Sequence, residues 1–252
     1  MKRIINVLLV AFVLSLVPAT YICAQGHIET PAECLAKERA ERKMKAGNNY
    51  TEGFARYQDD SGMYGYIDEV GDIIAPCQWK ETWTFSDGMA AVKDNNDKWG
   101  YIDKTGNLLI PCQWVDAWIF SEGLASVQND SGRWGFINKT GNLVIACHWS
   151  EAFSFEEGMA AVKDDNEKWG CINKTGDVVI PCQWTGFNAL FFEDGLCAVM
   201  DNNDKWGYID KSGRVVIPCQ WKNAWPFRNG LAQVEDFNGK KHKIDKAGII
   251  VE

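Results

Sequence analysis

Trp99-Gly100-Tyr101-Ile102-Asp103-Lys104-Thr105-Gly106 is the stretch whose reading decides the fold. It returns at Trp134 to Gly141 and at Trp206 to Gly213. An aromatic and β-branched run that ends in a polar turn with Gly reads as a strand entering a hairpin, with the Gly in the left-handed region. Working outward, the hairpin leads to a second apolar run, Leu108-Leu109-Ile110-Pro111. Pro111 should end that strand, because it cannot donate to a ladder. Upstream lies Met89-Ala90-Ala91-Val92-Lys93, joined to Trp99 by the polar turn Asp94 to Asp97. A longer loop, Cys112 to Glu122, carries Trp114, Trp118 and Phe120 toward the next copy.

The glycine that opens each copy sets the period. It occurs in Gly53-Phe54-Ala55, Gly88-Met89-Ala90, Gly123-Leu124-Ala125, Gly158-Met159-Ala160, Gly195-Leu196-Cys197 and Gly230-Leu231-Ala232, spaced 35, 35, 35, 37 and 35 residues apart. Self-similarity at such a period marks a repeat architecture. The two extra residues fall near Gly186-Phe187 and locate a loop. Leu108 and Ile110 point to one face and Leu109 to the other, so the strand is expected to be covered on both sides. One three-stranded unit cannot supply that cover, so its neighbours must. The end units differ from the rest. The first has Tyr64 where later units have Trp99, Trp134, Trp169 and Trp206, and the last has Lys241-His242-Lys243 in place of Trp-Gly-Tyr. Polar substitution is what a capping unit needs.

Two further segments recur: Ile-Pro-Cys-Gln-Trp at 110–114, 180–184 and 217–221, and Phe-x-x-Gly-Leu/Met-Ala at 120–125 and 155–160. Together with the Trp-Gly core they resemble the WG-repeat family of bacteria, over residues 51–252. Cys-Gln-Trp stands where that family commonly has Pro-x-Tyr. The resemblance implies a β-rich array with a scaffold or binding role, and no reaction. From the residues themselves, Gly100 presents no side chain, so a bulky group of an adjacent strand or unit, such as a Trp, is expected to pack over it. Trp99 is read as core, and burying one Trp per unit contributes roughly 2–3 kcal/mol.

The chain begins with Lys2 and Arg3, then an apolar run from Ile4 to Ala19, then Ile22-Cys23-Ala24. This is the pattern of an export signal cut after Ala24. A retained anchor, or a lipoprotein cut before Cys23, is the alternative. Residues 25–50 form a linker and a helix. Thr30-Pro31-Ala32-Glu33 provides a cap, a Pro at the first helical position and a capping-box Glu, so the helix should run from Pro31 to Ala46 and stop at Gly47. Leu35, Ala36, Ala40 and Met44 make only a thin apolar stripe, which predicts a weakly docked cap or a projecting stalk.

The formal net charge is −8, and removal of residues 1–24 takes Lys2 and Arg3 and leaves about −10. An acidic surface argues against nucleic acid and anionic lipid as partners. Of the nine Cys, Cys34, Cys77, Cys112, Cys147, Cys171, Cys182, Cys197 and Cys219 follow the leader. Five of them share one repeat position. Stacked sheets lie about 10 Å apart and a disulfide needs Cα atoms within about 7 Å, so small buried thiols are the simplest reading. Export leaves open a disulfide of Cys171 or Cys197 with a neighbour. No CxxC pair suggests a metal. The acidic turns at 94–97, 164–167 and 201–204 have the oxygen ligands Ca²⁺ uses, but Asn and Asp are also ordinary turn residues. His27, His148 and His242 have no recurring catalytic neighbour. No catalytic residue, metal or cofactor is assigned.

The position with a functional pattern is Trp83, Trp118, Phe153, Leu190 and Trp225, two residues before the Phe85, Phe120, Phe155, Phe192 and Phe227 series. The Phe series reads as core. The earlier position either packs between units or forms a rim on which a peptide or sugar stacks. The expected fold is all-β: six tandem three-stranded antiparallel meanders, about 18 strands, in an open, curved, solenoid-like array with one N-terminal helix. A closed propeller-like ring is the alternative. The expected function is non-catalytic binding of a protein or peptide at the periplasm or cell surface, as a monomer with no membrane span in the mature chain. A carbohydrate-binding envelope module is the alternative, and an exported hydrolase lacks a constellation to support it.

Overall fold

The computed structural model describes residues 21–22, 28–187 and 192–251. The expected cleavage site after Ala24 and nearly all of the leader lie outside them, as does Leu190. Tyr21–Ile22 pairs with Ile28–Glu29, and the helix α1 follows at Pro31–Ala46. Thr30 caps α1, Glu33 closes the capping box and Gly47 terminates it, as the residue types require.

Six antiparallel meander sheets follow, with 22 strands among them. Sheet 2 shows the complete form. A short strand, Glu81–Thr82, pairs with a leading strand, Met89–Lys93; this pairs with the Trp-Gly strand, Trp99–Asp103, which pairs with an outer strand, Leu108–Trp114. Sheets 3, 4 and 5 repeat this order at Asp116–Trp149, Glu151–Trp184 and Gly186–Trp221. Sheet 1 (Phe54–Gln58, Tyr64–Asp68, Ile73–Trp79) lacks the short strand. Sheet 6 (Asn223–Ala224, Leu231–Glu235, Lys241–Asp245) has, among the described residues, only an isolated bridge of Ile250 with Ile244 at the outer position.

The extra strand corrects the expected three-stranded unit. Pro111 does not end the outer strand, which runs on to Trp114. Its register against the Trp-Gly strand jumps, with Trp99 opposite Trp114 but Tyr101 opposite Ile110. Pro111 and Cys112 therefore sit in a β-bulge, where an edge strand tolerates Pro. The residues after Trp114 turn at once into the short strand Asp116–Ala117 of the next sheet. What the sequence suggested was a loop between units is largely the first hairpin of each sheet.

The bulge also explains the Gly of the Trp-Gly motif. A Cβ on Gly100 would lie 2.5 Å from the Ile110 carbonyl oxygen and 2.8 Å from the Cys112 nitrogen. The group packed over the glycine is thus the bulged backbone of the same sheet, with the Cys112 thiol, and not the expected Trp. Gly65, Gly135, Gly170 and Gly207 are crowded in the same way.

The core lies between sheets. Met89, Ala91, Tyr101 and Ile110 of sheet 2 form one cluster with Phe120, Ala125, Val127 and Ile137 of sheet 3. Each of the four other sheet pairs has an equivalent cluster. No unit has an interior of its own, which is the physics of a solenoid. Cover is not complete, however. Ile110 is 1% exposed, but Leu108 and Leu109 are 46% and 53% exposed. In the following hairpin a Cβ on Gly141 would lie 3.3 Å from Ile110 Cγ2, so this hairpin covers Ile110.

α1 is docked and does not project. Ala46 joins Ala55, Tyr57 and Ile67 of sheet 1 in a cluster of its own. Arg39 donates two hydrogen bonds to Asp72, both 2.6 Å, and Arg42 donates to the Gly71 carbonyl at 2.9 Å. The thin apolar stripe is supplemented by guanidinium contacts. With α1 on the back of sheet 1, sheet 6 cannot stack there, and the array is open.

Candidate binding site: an aromatic row on stacked sheets

The aromatic row sits in the hairpin between the short and leading strands. At its tip, Ser86 and Met89 pair across Asp87-Gly88, both of which have positive φ, 55° and 80°. This is the tight hairpin geometry that an acidic residue followed by Gly accommodates. The turn does two things. It drives Phe85, Phe120, Phe155 and Phe227 inward, each at most 2% exposed, onto the preceding sheet. It also leaves the residue two positions earlier at the rim.

Trp83, Trp118 and Trp225 are 37%, 36% and 39% exposed, and Phe153 is half-buried. They do not form one flat platform. Trp83 stacks on Trp99 at 6.3 Å and on Trp118 at 5.5 Å, with interplanar angles of 18° and 23°. Trp83 is therefore stacked against two other indoles. Phe153 stacks on Trp169 at 5.3 Å, separately. At the last sheet Lys241 occupies the place of the Trp-Gly indole, and its Nζ lies 5.7 Å from the Trp225 ring. A cation–π contact there takes over from the ring stack. Lys93 and Lys163 lie over Trp99 and Trp169 at 5.7 and 5.6 Å. The Trp-Gly indoles are core or half-buried, with Trp99 at 3% and Trp134 at 8%.

The other candidate groups are occupied structurally. Asp94 Oδ1 accepts from the backbone nitrogens of Asn96 and Lys98, both at 2.9 Å, so the acidic turn holds itself. Among the described residues no group of three or more His, Cys, Asp or Glu could hold a metal ion. Cys77, Cys112, Cys147, Cys171, Cys182 and Cys219 are free thiols. Burial pushes the Cys112, Cys182 and Cys219 thiols up to about 11 and Cys171 to about 12, which keeps them protonated and weakly nucleophilic.

Sequence reasoning missed one recurring device. The carboxylates of four of the five acidic turn residues reach the turn of the next sheet. Glu52, Asp87, Glu122 and Asp194 accept the backbone N–H of Gly88, Gly123, Gly158 and Gly230 at 3.0, 2.6, 3.0 and 2.6 Å. Lys104 and Lys174, from the Lys-Thr-Gly hairpins, pair with Glu52 and Glu122 at 3.0 and 2.8 Å. The Lys174 contact and the Gly158 N–H hold the Glu122 carboxyl below its ordinary range. The signal was present as an acid and a Lys of the next unit, 52 residues apart. A second missed feature is the buried indole N–H of Trp79, Trp114, Trp149, Trp184 and Trp221, which has no partner. Leaving such a donor unpaired costs about 1–3 kcal/mol, set against the burial of a large indole.

These features define a tandem-repeat β-protein with an aromatic rim. The family profile described as the WG containing repeat matches residues 64–99, 99–132, 134–168, 169–206 and 206–240. The chain belongs to this family. No curated protein matches the sequence. Among solved structures, the chain is similar to the computationally designed Ika8 protein at 11% identity and a TM-score of 0.49, covering 81% of this chain and 72% of that one. It is also similar to BamB from Moraxella catarrhalis, at 11% identity, a TM-score of 0.46 and coverage of 81% and 73%.

Proposed function

We propose that the chain is a non-catalytic binding scaffold, exported to the periplasm or cell surface, that recognises a protein or peptide partner along its aromatic row. One observation carries this reading: Trp83, Trp118 and Trp225 stay more than one-third exposed while the Phe residues two positions later are buried. Half-exposed indoles on a rigid frame suit the anchoring of a partner's side chains. The Lys2-Arg3 start and the apolar run to Ala19 support export.

The stacking favours peptide over sugar. A sugar packs on an open aromatic face, and Trp83 is already stacked against two indoles. Trp118 keeps the sugar reading in play, because it ends the Trp99–Trp83–Trp118 stack and is 36% exposed. Display selection with random peptides on the mature protein should enrich binders whose affinity falls at least about tenfold on Trp118→Ala. Glycan-array retention lost on the same substitution, with no peptide binder, would replace this reading with the sugar one. Failure to enrich any binder sensitive to Trp83→Ala or Trp118→Ala would remove it.

A further inference from the structure

The sheets differ in charge where the short strand meets the leading strand. In sheet 2 Glu81 stands opposite Lys93, and the two form an ion pair at 3.1 Å. Lys93 Nζ also lies 5.7 Å from the Trp99 ring, on which Trp83 of the aromatic row stacks. Sheet 4 builds the same arrangement. Glu151 and Lys163 pair at 3.0 Å, Lys163 lies 5.6 Å from the Trp169 ring, and Phe153 stacks on Trp169. A carboxylate and an indole thus share one ammonium group, the first through its charge and the second through its ring face.

Sheet 3, between them, has this frame without the cation. Asp116 holds the carboxylate position, and Gln128 stands opposite it, where Lys93 and Lys163 stand in the neighbouring sheets. Gln128 donates to the Gly132 carbonyl at 3.1 Å. Asp116 Oδ1 accepts the Ala117 N–H at 2.8 Å, and among the described residues no Lys, Arg or His pairs with its carboxylate. Trp118 stacks at 5.5 Å on Trp83 of sheet 2, not on Trp134 of its own sheet, and remains 36% exposed. Ala117, between Asp116 and Trp118, is buried, so alternation along the strand places those two side chains together on its other side. Sheets 5 and 6 have Gly186 and Asn223 at this position. Of the short-strand carboxylates Glu81, Asp116 and Glu151, only Asp116 faces no lysine.

We propose that Asp116 and Trp118 form a subsite for one basic side chain, Lys or Arg, of the partner peptide; this rests on the reading of the aromatic row as a peptide-binding surface. Two observations choose a cation. The chain itself places a lysine in this setting in the sheets on either side. Asp116 also leaves a negative charge uncompensated beside an exposed indole, in a chain of net charge −8, so charge complementarity favours a basic ligand. An ammonium or guanidinium that packs on Trp118 and donates to Asp116 makes both contacts at once. One carboxylate beside an indole offers too few oxygen ligands for a metal ion.

Peptides selected from a random display library on the parent chain, and losing at least about tenfold in affinity on Trp118→Ala, define the ligands of the row. They should share a Lys or Arg whose replacement by Gln costs at least about tenfold. Asp116→Asn keeps the acceptor for the Ala117 N–H and removes the charge, and it should cost the same. Gln128→Lys should fill the subsite from within, as Lys93 does in sheet 2, and should also weaken binding at least about tenfold. Binding should weaken with salt. Glu38→Gln on α1 removes an equal charge away from the row and should leave affinity unchanged. Unchanged thermal melts would show that the variants fold. Trp118-dependent peptides that need no basic residue overturn the subsite and leave the peptide reading of the row intact, as does indifference to Asp116→Asn or to Gln128→Lys. A library that yields no Trp118-dependent peptide removes that reading and the subsite with it.

Discussion

The two ends of the array solve one problem in opposite ways. A stacked sheet has a back face and a forward face, and only internal sheets have neighbours for both. At sheet 1 the back face keeps its apolar residues, Ala55, Tyr57 and Ile67, and a helix covers them. At sheet 6 the forward face changes its residues, and Gln233, Lys241 and Lys243 replace a small residue, a Trp and an aromatic. One end is covered by added structure, and the other carries polar side chains on its face. The same contrast reaches the central glycine. Sheet 1 has Gly65 under a bulged outer strand, where a Cβ would lie 2.6 Å from the Ala75 oxygen. In sheet 6 the outer position holds, among the described residues, only a bridge of Ile250 with Ile244, and His242 occupies the glycine position and pairs with Asp236 at 3.1 Å. The lesson is that the Trp-Gly motif is a requirement of the bulge and not of the sheet.

The comparison can be broken most severely by exchanging residues between the two kinds of environment. Gly100→His copies the last sheet into an internal one, driving a Cβ to within 2.5 Å of a carbonyl oxygen. It should cost more than about 4 kcal/mol, read as a shifted denaturant midpoint, and His242→Gly should cost far less. Tyr101→Lys places a terminal side chain in a filled slot. It should cost about 3–5 kcal/mol by burying an unpaired charge. A Tyr101→Lys protein as stable as the parent would show that the forward faces are not closed interfaces.

Removing α1 should strip the cover from Tyr57 and Ile67 and destabilise sheet 1 by about 2–3 kcal/mol. Amide hydrogen exchange should accelerate in sheet 1 and stay unchanged in sheet 6. Acid should act on this end too. The Arg39 hydrogen bonds hold the Asp72 carboxyl below its ordinary range. Its contribution is therefore present above the unfolded carboxyl pKa of about 3.9 and is lost as pH falls through the lowered folded value. Asp72→Asn should reproduce the acid-loosened α1 at neutral pH, seen as faster exchange in sheet 1. The smallest effect belongs to Lys243→Tyr, which changes an exposed position and should alter stability by no more than about 0.5 kcal/mol. It restores the internal residue without restoring the neighbour that gives it value.

Much of this was legible in the chain. The capping box at Thr30–Glu33 and the stop at Gly47 predict α1 to the residue, because caps are local chemistry. The hairpin glycines predict their positive φ, as at Gly106. The Phe series was readable as core because it repeats without variation in residue type. The bulge was not readable, since Pro111 carries the same symbol at a strand end and inside a bulge. The inter-sheet clasp from Glu52 to Gly88 and Lys104 joins residues 36 and 52 positions apart, so it shows only when successive sheets are stacked. For the aromatic row, the pattern marked Trp83 and Trp118 as unusual, but not that each would cover the other.

By itself, the sequence determined the period, the strands, the hairpins, the helix and the need for neighbours, because these follow from propensities and alternation within a few residues. Tertiary structure alone decided which groups close over the glycine, how Arg39 and Arg42 dock the helix on one end, and which indoles stack on each other. Those outcomes depend on where two backbones, distant along the chain, come within a few ångströms of each other, and no local pattern encodes that distance.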